Sequence, residues 1–334
     1  MLEGAQARSL LSDISRLQKG TFPLPKVKEQ IERKIPHDQY EELSTWIENH
    51  PDNEISKYWN TELHFDYTRD PPGTGKNFVI RMPLAPHELV TGLVTKGIIG
   101  WFAKVEEIEE YNNGDETTID IAKGIEVRNQ TRVYLQNGNE WEPDQSFRIK
   151  KKGQKKGHIY PAVVIEVSYA QRLKDLKHRA ETWIKYSTSK VRIVIGFDLN
   201  DVYKKNQSAT LYVWKSQDGE PELIVKTEFR DTSGRAIPNV NLCLSLSDFL
   251  QDDDGQENMR FFDPNMLISS VDIVDKLEDG VEDQEIGKTS HKEIKSKIKA
   301  QKSKKSLSPL HIASRWSGTL RKKKVVNYKP MMKK

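Results

Sequence analysis

The sequence predicts an α/β protein, and three observations lead there. Short β-prone runs broken by turn signals fill the middle of the chain. Stretches with helical periodicity stand on either side of them. Two runs, PAVVIEVS and VRIVIGFDL, are apolar almost throughout, as strands buried on both faces are.

Along the chain, HDQYEELSTWIENH places Tyr40, Leu43, Trp46 and Ile47 at helical spacing. NFVIRM reads as a short strand stopped by Pro83. After Pro86, HELVTGLVTKGIIGWFAKVEEIEE reads as a helix of several turns, weakened by Gly92, Gly97 and Gly100. TTIDIAKGIEV, TRVYLQ, SFRIKK and AVVIEVS then read as strands separated by the turn signals NNG, QNGNE and KKGQKKG. A helix over about 171–186 leads to the strand VRIVIGFDL. ATLYVWKS and ELIVKTEFRD form a hairpin across SQDGEP. The folded region closes near residue 250 with NLCLSLSDFL, where Cys243 reads as a small core residue. The expected organisation is an N-terminal helical and mixed extension over 1–76 and an α/β domain over 77–250. An acidic loop with a short terminal element (251–277) and a disordered Lys-rich tail (278–334) follow.

Composition narrows the function classes. The charged fraction is 31% against 36% hydrophobic, so part of the chain is too polar to pack. No apolar run is long enough to span a bilayer, the N-terminus lacks a signal-peptide pattern, and one cysteine allows no internal disulfide. These features predict an intracellular protein without membrane insertion. The net charge of +4 conceals an asymmetry: residues 291–334 carry 15 Lys/Arg against one acid, Glu293. A basic tail on an acidic body suits a polyanion partner, a nuclear-import signal, or both.

One motif misleads. Asp70-Pro71-Pro72-Gly73-Thr74-Gly75-Lys76-Asn77 resembles a phosphate loop, but lacks the leading Gly and the Ser/Thr after Lys that holds Mg²⁺. It also leads into a strand rather than a helix, so it reads as a Pro/Gly turn.

The informative residues are charges inside apolar strands. Glu166 sits in the middle of PAVVIEVS, where a lone carboxylate must be paired, protonated or bound to a cation. It shares a strand face with Val164 and Ser168. Asp144 opens the strand entered through Pro143. An antiparallel pairing across the KKKGQKKGH loop brings the two within a few ångströms. Hard divalent cations bind through one or two such carboxylates plus water and substrate phosphate. Each residue also has a structural reading: Asp144 as a turn residue, Glu166 as the partner of an internal arginine.

Four stretches in order, MPLAPHELV (82–90), EPDQSF (142–147), YPAVVIEVS (160–168) and KDLKHRAETWIKY (174–186) leading into VRIVIGFDL, resemble the PD-(D/E)XK nuclease superfamily. The likeness is to its branch of putative restriction endonucleases, known in bacteria with relatives in fungi, and spans 78–250. The resemblance implies a restriction-endonuclease-like core of helix, mixed β-sheet and helix, a Mg²⁺ (or Mn²⁺) site and hydrolysis of DNA phosphodiester bonds. It assigns the metal to Asp144, Glu166 and the Val167 carbonyl, with Glu88 as a candidate third carboxylate from the first helix. His87 falls at a family-typical position with a capping or packing alternative, and Gln171 is a candidate partner of metal-bound water. The family's Lys two residues after the Glu is Ser168 here. In this branch that cation is commonly shifted to the next helix, where alignment on Asp175-Leu176 places Arg179.

On that helix, Leu173, Leu176, Ala180, Trp183 and Ile184 form an apolar arc flanked on opposite edges by Lys177 and Arg179. Either can lean toward Glu166 and stabilise phosphate charge, but arginine is too basic to serve as a general base. Lys150, Lys151, Lys152, Lys155 and Lys156, between the two carboxylate strands, can grip backbone phosphates or form a solvated hairpin loop. Two functions follow: a metal-dependent endonuclease acting on DNA, or a catalytically degenerate nuclease-fold protein that binds or interacts without hydrolysis. The missing Lys at position 168 favours the second.

Overall fold

The structure is a computed structural model that describes residues 2–20, 30–69, 77–81, 85–128, 131–150, 160–168, 173–199, 202, 207–251 and 260–305. Residues Met1–Ile286 form one compact unit and Gly287–Lys334 a second. The elements of the N-terminal region are α1 (Ala5–Gln18), β1 (Gln30–Arg33), α2 (His37–Asn49), α3 (Glu54–Thr61), β2 (Phe65–Tyr67) and β3 (Phe78–Arg81). Then come α4 (Ala85–Glu107), α5 (Glu109–Asn112), α6 (Glu116–Gly124), β4 (Ile125–Val127), β5 (Val133–Tyr134), β6 (Glu140–Trp141) and β7 (Gln145–Ile149). The chain continues through β8 (Val163–Ser168), α7 (Leu173–Lys185), β9 (Ile193–Asp198), β10 (Ala209–Gln217) and β11 (Glu220–Arg230). It ends with β12 (Asn241–Ser245), β13 (Asn265–Ser269) and α8 (Ser270–Lys305).

The molecule is a mixed α/β protein. Its larger sheet has the order β11-β10-β9-β8-β7-β4. Every neighbouring pair is antiparallel except β8 and β9, which run parallel and are joined by α7. Parallel neighbours need such a crossover. Alternation along β8 sends Val163, Ile165 and Val167 into one cluster with Val90, Val94 and Ile98 of α4. Val164 turns the other way, toward Leu176, Ala180, Trp183 and Ile184 of α7. Helices thus cover both faces, which is why β8 and β9 read as continuous apolar runs. The hairpin between β10 and β11 turns at Asp218 and Gly219, both with positive φ (51° and 81°), the backbone of a two-residue primed turn.

The second sheet, β1-β3-β2-β6-β5, packs against α1, α2 and α3. Residues 1–76 do not stand apart: β3, β5 and β6 come from beyond residue 77 and complete their sheet.

Several expectations need correction. TTIDIAKGIEV is not one strand: Asp115 caps a helix by accepting from the Thr117 N–H at 2.9 Å. Thr118, Ile121 and Ala122 are buried at helical spacing in α6, and only β4 is extended. Tertiary burial here overrides β-branched propensity. Cys243 is exposed, because Leu242 and Leu244 take the inward positions of β12 and alternation turns residue 243 out. The run MLISSVDIV divides between β13 and the start of α8. Residues 278–305, expected within a disordered tail, are helical. The helix is anchored by buried Leu277 and by Gly280, whose Cβ position would lie 2.6 Å from Pro86 Cα. Residues 306–334 lie outside the described residues, as do 70–76 of the phosphate-loop look-alike and most of the acidic loop, 252–259.

Candidate functional site

Antiparallel pairing of β7 with β8 sets Gln145 opposite Ile165, so Asp144 arrives beside Glu166 and Val167. The Val167 N–H donates to Asp144 Oδ2 at 2.6 Å. Both carboxylates are buried, at 6% and 2% exposure. Buried carboxylates require compensation, and the surrounding elements supply it as cations.

Asp144 accepts from Arg81 Nη1 at 2.6 Å, and His87 Nε2 lies 3.1 Å from its other oxygen. Glu166 accepts a two-pronged contact from Arg179: Nε to Oε2 and Nη2 to Oε1, each 2.7 Å. The Trp183 indole N–H donates to Oε1 at 2.6 Å. Arg81 Nη1 also lies 3.9 Å from Glu166 Oε2, so its guanidinium spans the two carboxylates. A third acid, Asp66 on β2, joins both arginines, accepting from Arg81 Nη2 at 2.8 Å and Arg179 Nη1 at 2.7 Å. The Glu142 carbonyl accepts from both guanidiniums, and the Trp141 ring lies 4.8 Å from the Arg179 guanidinium carbon. The Glu142 side chain ties the neighbouring loop to the N-terminal sheet through the Phe65 N–H at 3.2 Å.

Electrostatically the cluster closes on itself. Burial alone would lower the His87 pKa. The charge and hydrogen bond of Asp144 outweigh that and push it up to about 10, so the ring is protonated. Burial would raise Asp144, but His87 and Arg81 hold it below the ordinary carboxylate range. Glu166 is moved upward by its burial, with Arg179 opposing and the nearby charge of Asp144 adding to the rise. Asp66, Asp144 and Glu166 thus face Arg81, Arg179 and protonated His87, three acids against three cations. Pairing of this kind is how buried charge is tolerated, although Arg81 Nε and His87 Nδ1 are buried without a hydrogen-bond partner among the described residues.

The expected site residues divide accordingly. Asp144, Glu166 and Arg179 come together. Val167 contributes its N–H to Asp144. Lys177 does not join: it is exposed and lies 3.7 Å from Glu181 on its own helix. Glu88 is half exposed, 3.6 Å from His87 Nδ1, at a cleft of about 420 Å³ that reaches Asp144 and Gln145. Lys150, 71% exposed, lies 3.3 Å from Glu126. Lys151, Lys152, Lys155, Lys156 and Gln171 are outside the described residues. Ser168 is buried, and its carbonyl accepts from the Leu199 N–H at 2.6 Å.

Sequence reasoning missed Asp66 and Arg81. Arg81 carried the same signal as Glu166, a charge inside the β-prone run NFVIRM; Asp66 lies between Phe65 and Tyr67 with no such contrast.

The donor set does not fit a divalent cation. Oxygens of both Asp144 and Glu166 are taken by arginine, histidine, indole and backbone donors. Among the described residues no group of three or more His, Cys, Asp or Glu side chains could hold a metal ion. Among the described residues, too, no helix is long and apolar enough to cross a membrane. Neither the protein-family models nor the curated proteins include a match to this chain.

Proposed function

We propose that this chain is a restriction-endonuclease-like protein that has lost the hydrolytic metal centre and works as a nucleic-acid-binding module. The fold reading is supported by the order α4, β4, β7, β8, α7, β9, with helices on both faces and one parallel strand pair. The observation that carries the loss of hydrolysis is the pairing of Arg179 with Glu166. The cation that the superfamily would aim at phosphate is spent on the carboxylate that would hold metal. Arg81 completes the substitution, its positive charge standing between Asp144 and Glu166. The basic run that begins at exposed Lys150, and the 15 Lys/Arg of residues 291–334, support a polyanion partner and import into the nucleus.

A second reading, a metal-dependent phosphodiesterase acting on DNA, is favoured by the cleft that opens on Asp144 beside Glu88. One set of measurements separates the two. On the first reading, plasmid DNA stays intact in Mg²⁺ or Mn²⁺, and calorimetry of the full chain shows no metal-binding heat. Short duplex DNA still binds, with log K falling linearly against log salt. Nicking that Asp144→Asn and Glu166→Gln both abolish would establish the second. Absence of DNA binding at low salt would remove the nucleic-acid part of the first.

A further inference from the structure

Two glycines of α4 differ in what holds them. At Gly97 a Cβ would lie 2.8 Å from Ile268 Cδ1, the flexible end of a β13 side chain, so α4 and β13 pack closely there. At Gly100 a Cβ would meet no atom within 4 Å. Glycine inside a helix is destabilising relative to alanine, and packing gives no reason for it at Gly100. What Gly100 borders is space: a cleft of about 630 Å³ between α4 and β13, within the size range of small-molecule sites.

The cleft has the chemistry of a particular ligand class. Trp101, Tyr111, Met266, Leu267 and Ile268 give it apolar walls. Leu267 is 66% exposed, an apolar side chain left uncovered at this site. Lys96 and Lys104 also line it, eight residues apart on one helix, a rise of about 12 Å. Among the described residues neither lies within 4.0 Å of a carboxylate oxygen, and Lys104 Nζ stands 5.5 Å from the Tyr111 ring centroid. The acid in the lining, Asp272, accepts from the Ser269 hydroxyl at 2.7 Å. The cleft therefore offers apolar surface and an excess of positive charge.

We propose that this cleft binds a small amphipathic anion, its apolar body against the aromatic and aliphatic walls and its carboxylate beside Lys96 or Lys104. The two clefts meet at Lys96, which also lines the one that reaches Asp144; Lys104 and the apolar walls belong to this cleft and not to that one. The test is calorimetric titration of the full chain with decanoate, with acetate and decyltrimethylammonium as head-group and charge-reversed controls. Decanoate is expected to bind saturably at one site and both controls to fail. Gly100→Leu, which fills the cleft, and Lys96→Gln with Lys104→Gln, which removes its charge, should each weaken decanoate binding by about tenfold or more. All three positions are exposed, and circular dichroism checks that the variants fold. Equal binding of decyltrimethylammonium, full binding by both variants, or no saturable decanoate binding would overturn the proposal.

Discussion

Replacing Arg179 with alanine tests whether the carboxylate cluster is structural. The guanidinium makes two 2.7 Å contacts to Glu166, one of 2.7 Å to Asp66 and one of 3.1 Å to the Glu142 carbonyl. Truncation leaves Glu166 buried with the Trp183 N–H at 2.6 Å and Arg81 no nearer than 3.9 Å. Breaking a buried ion pair from one side costs about 3–5 kcal/mol, since the remaining charge loses its compensation. At about 2–4 °C per kcal/mol for a domain of this class, Tm should fall by roughly 10 °C. Urea denaturation and thermal melts followed by circular dichroism measure both quantities. The double variant Arg179→Met/Glu166→Leu should recover much of the loss, because a well-packed apolar pair can replace a buried ionic one at little cost. Asp66 keeps Arg81 at 2.8 Å in that background. A loss below about 1 kcal/mol in Arg179→Ala, the value of an exposed ion pair, would refute the reasoning.

Two further outcomes follow from the same geometry. His87 titrates at about 10 when folded against 6.5 for an ordinary histidine, so its stabilising contribution is complete below pH 6.5 and disappears as pH rises through about 10. Across that window it should give stability a slope of about −1.4 kcal/mol per pH unit, measured by urea denaturation at stepped pH, and His87→Gln should remove it. Gly196 lies opposite Glu166 in the parallel pair, where a Cβ would stand 2.7 Å from Trp214 Cζ3 and 3.1 Å from Leu176 Cδ2. Gly196→Ala should therefore overpack the α7 face, costing about 1–3 kcal/mol in a chemical melt with the fold retained.

The parts of the fold that were legible in sequence owe their form to local pattern. β8 and β9 carry continuous apolar runs because helices cover both their faces, and Leu176, Ala180, Trp183 and Ile184 of the predicted α7 arc are buried against Val164 and Val194. The Thr and Ile residues of α6 favour a strand in isolation, while its cap and its buried face are set by three-dimensional context. The apolar stretch around Cys243 suggests a wholly inward strand, but alternation leaves one residue in two outside. In the site, strand order brings Asp144 and Glu166 together, whereas helix phase leaves Lys177 and Arg179 equal and only the family resemblance singles out Arg179; an internal arginine as the partner of Glu166 is the structural reading of that residue. Asp66 and Arg81 could not be placed, because they arrive from a second sheet, and no spacing in the sequence records which sheets meet.

The contact between Arg179 and Asp66 joins positions 113 residues apart. During synthesis, β1, β2 and β3 leave the ribosome well before the guanidinium that will face Asp66, and β5 and β6 must still be added to their sheet. Contacts of such long range make a chain slow to fold, because ordering comes before reward. Asp66 therefore gains its second guanidinium only once α7 has formed. A nascent chain stalled before residue 179 would leave β8 without β9 and Glu166 without Arg179, the kind of partly built species that aggregates or engages chaperones.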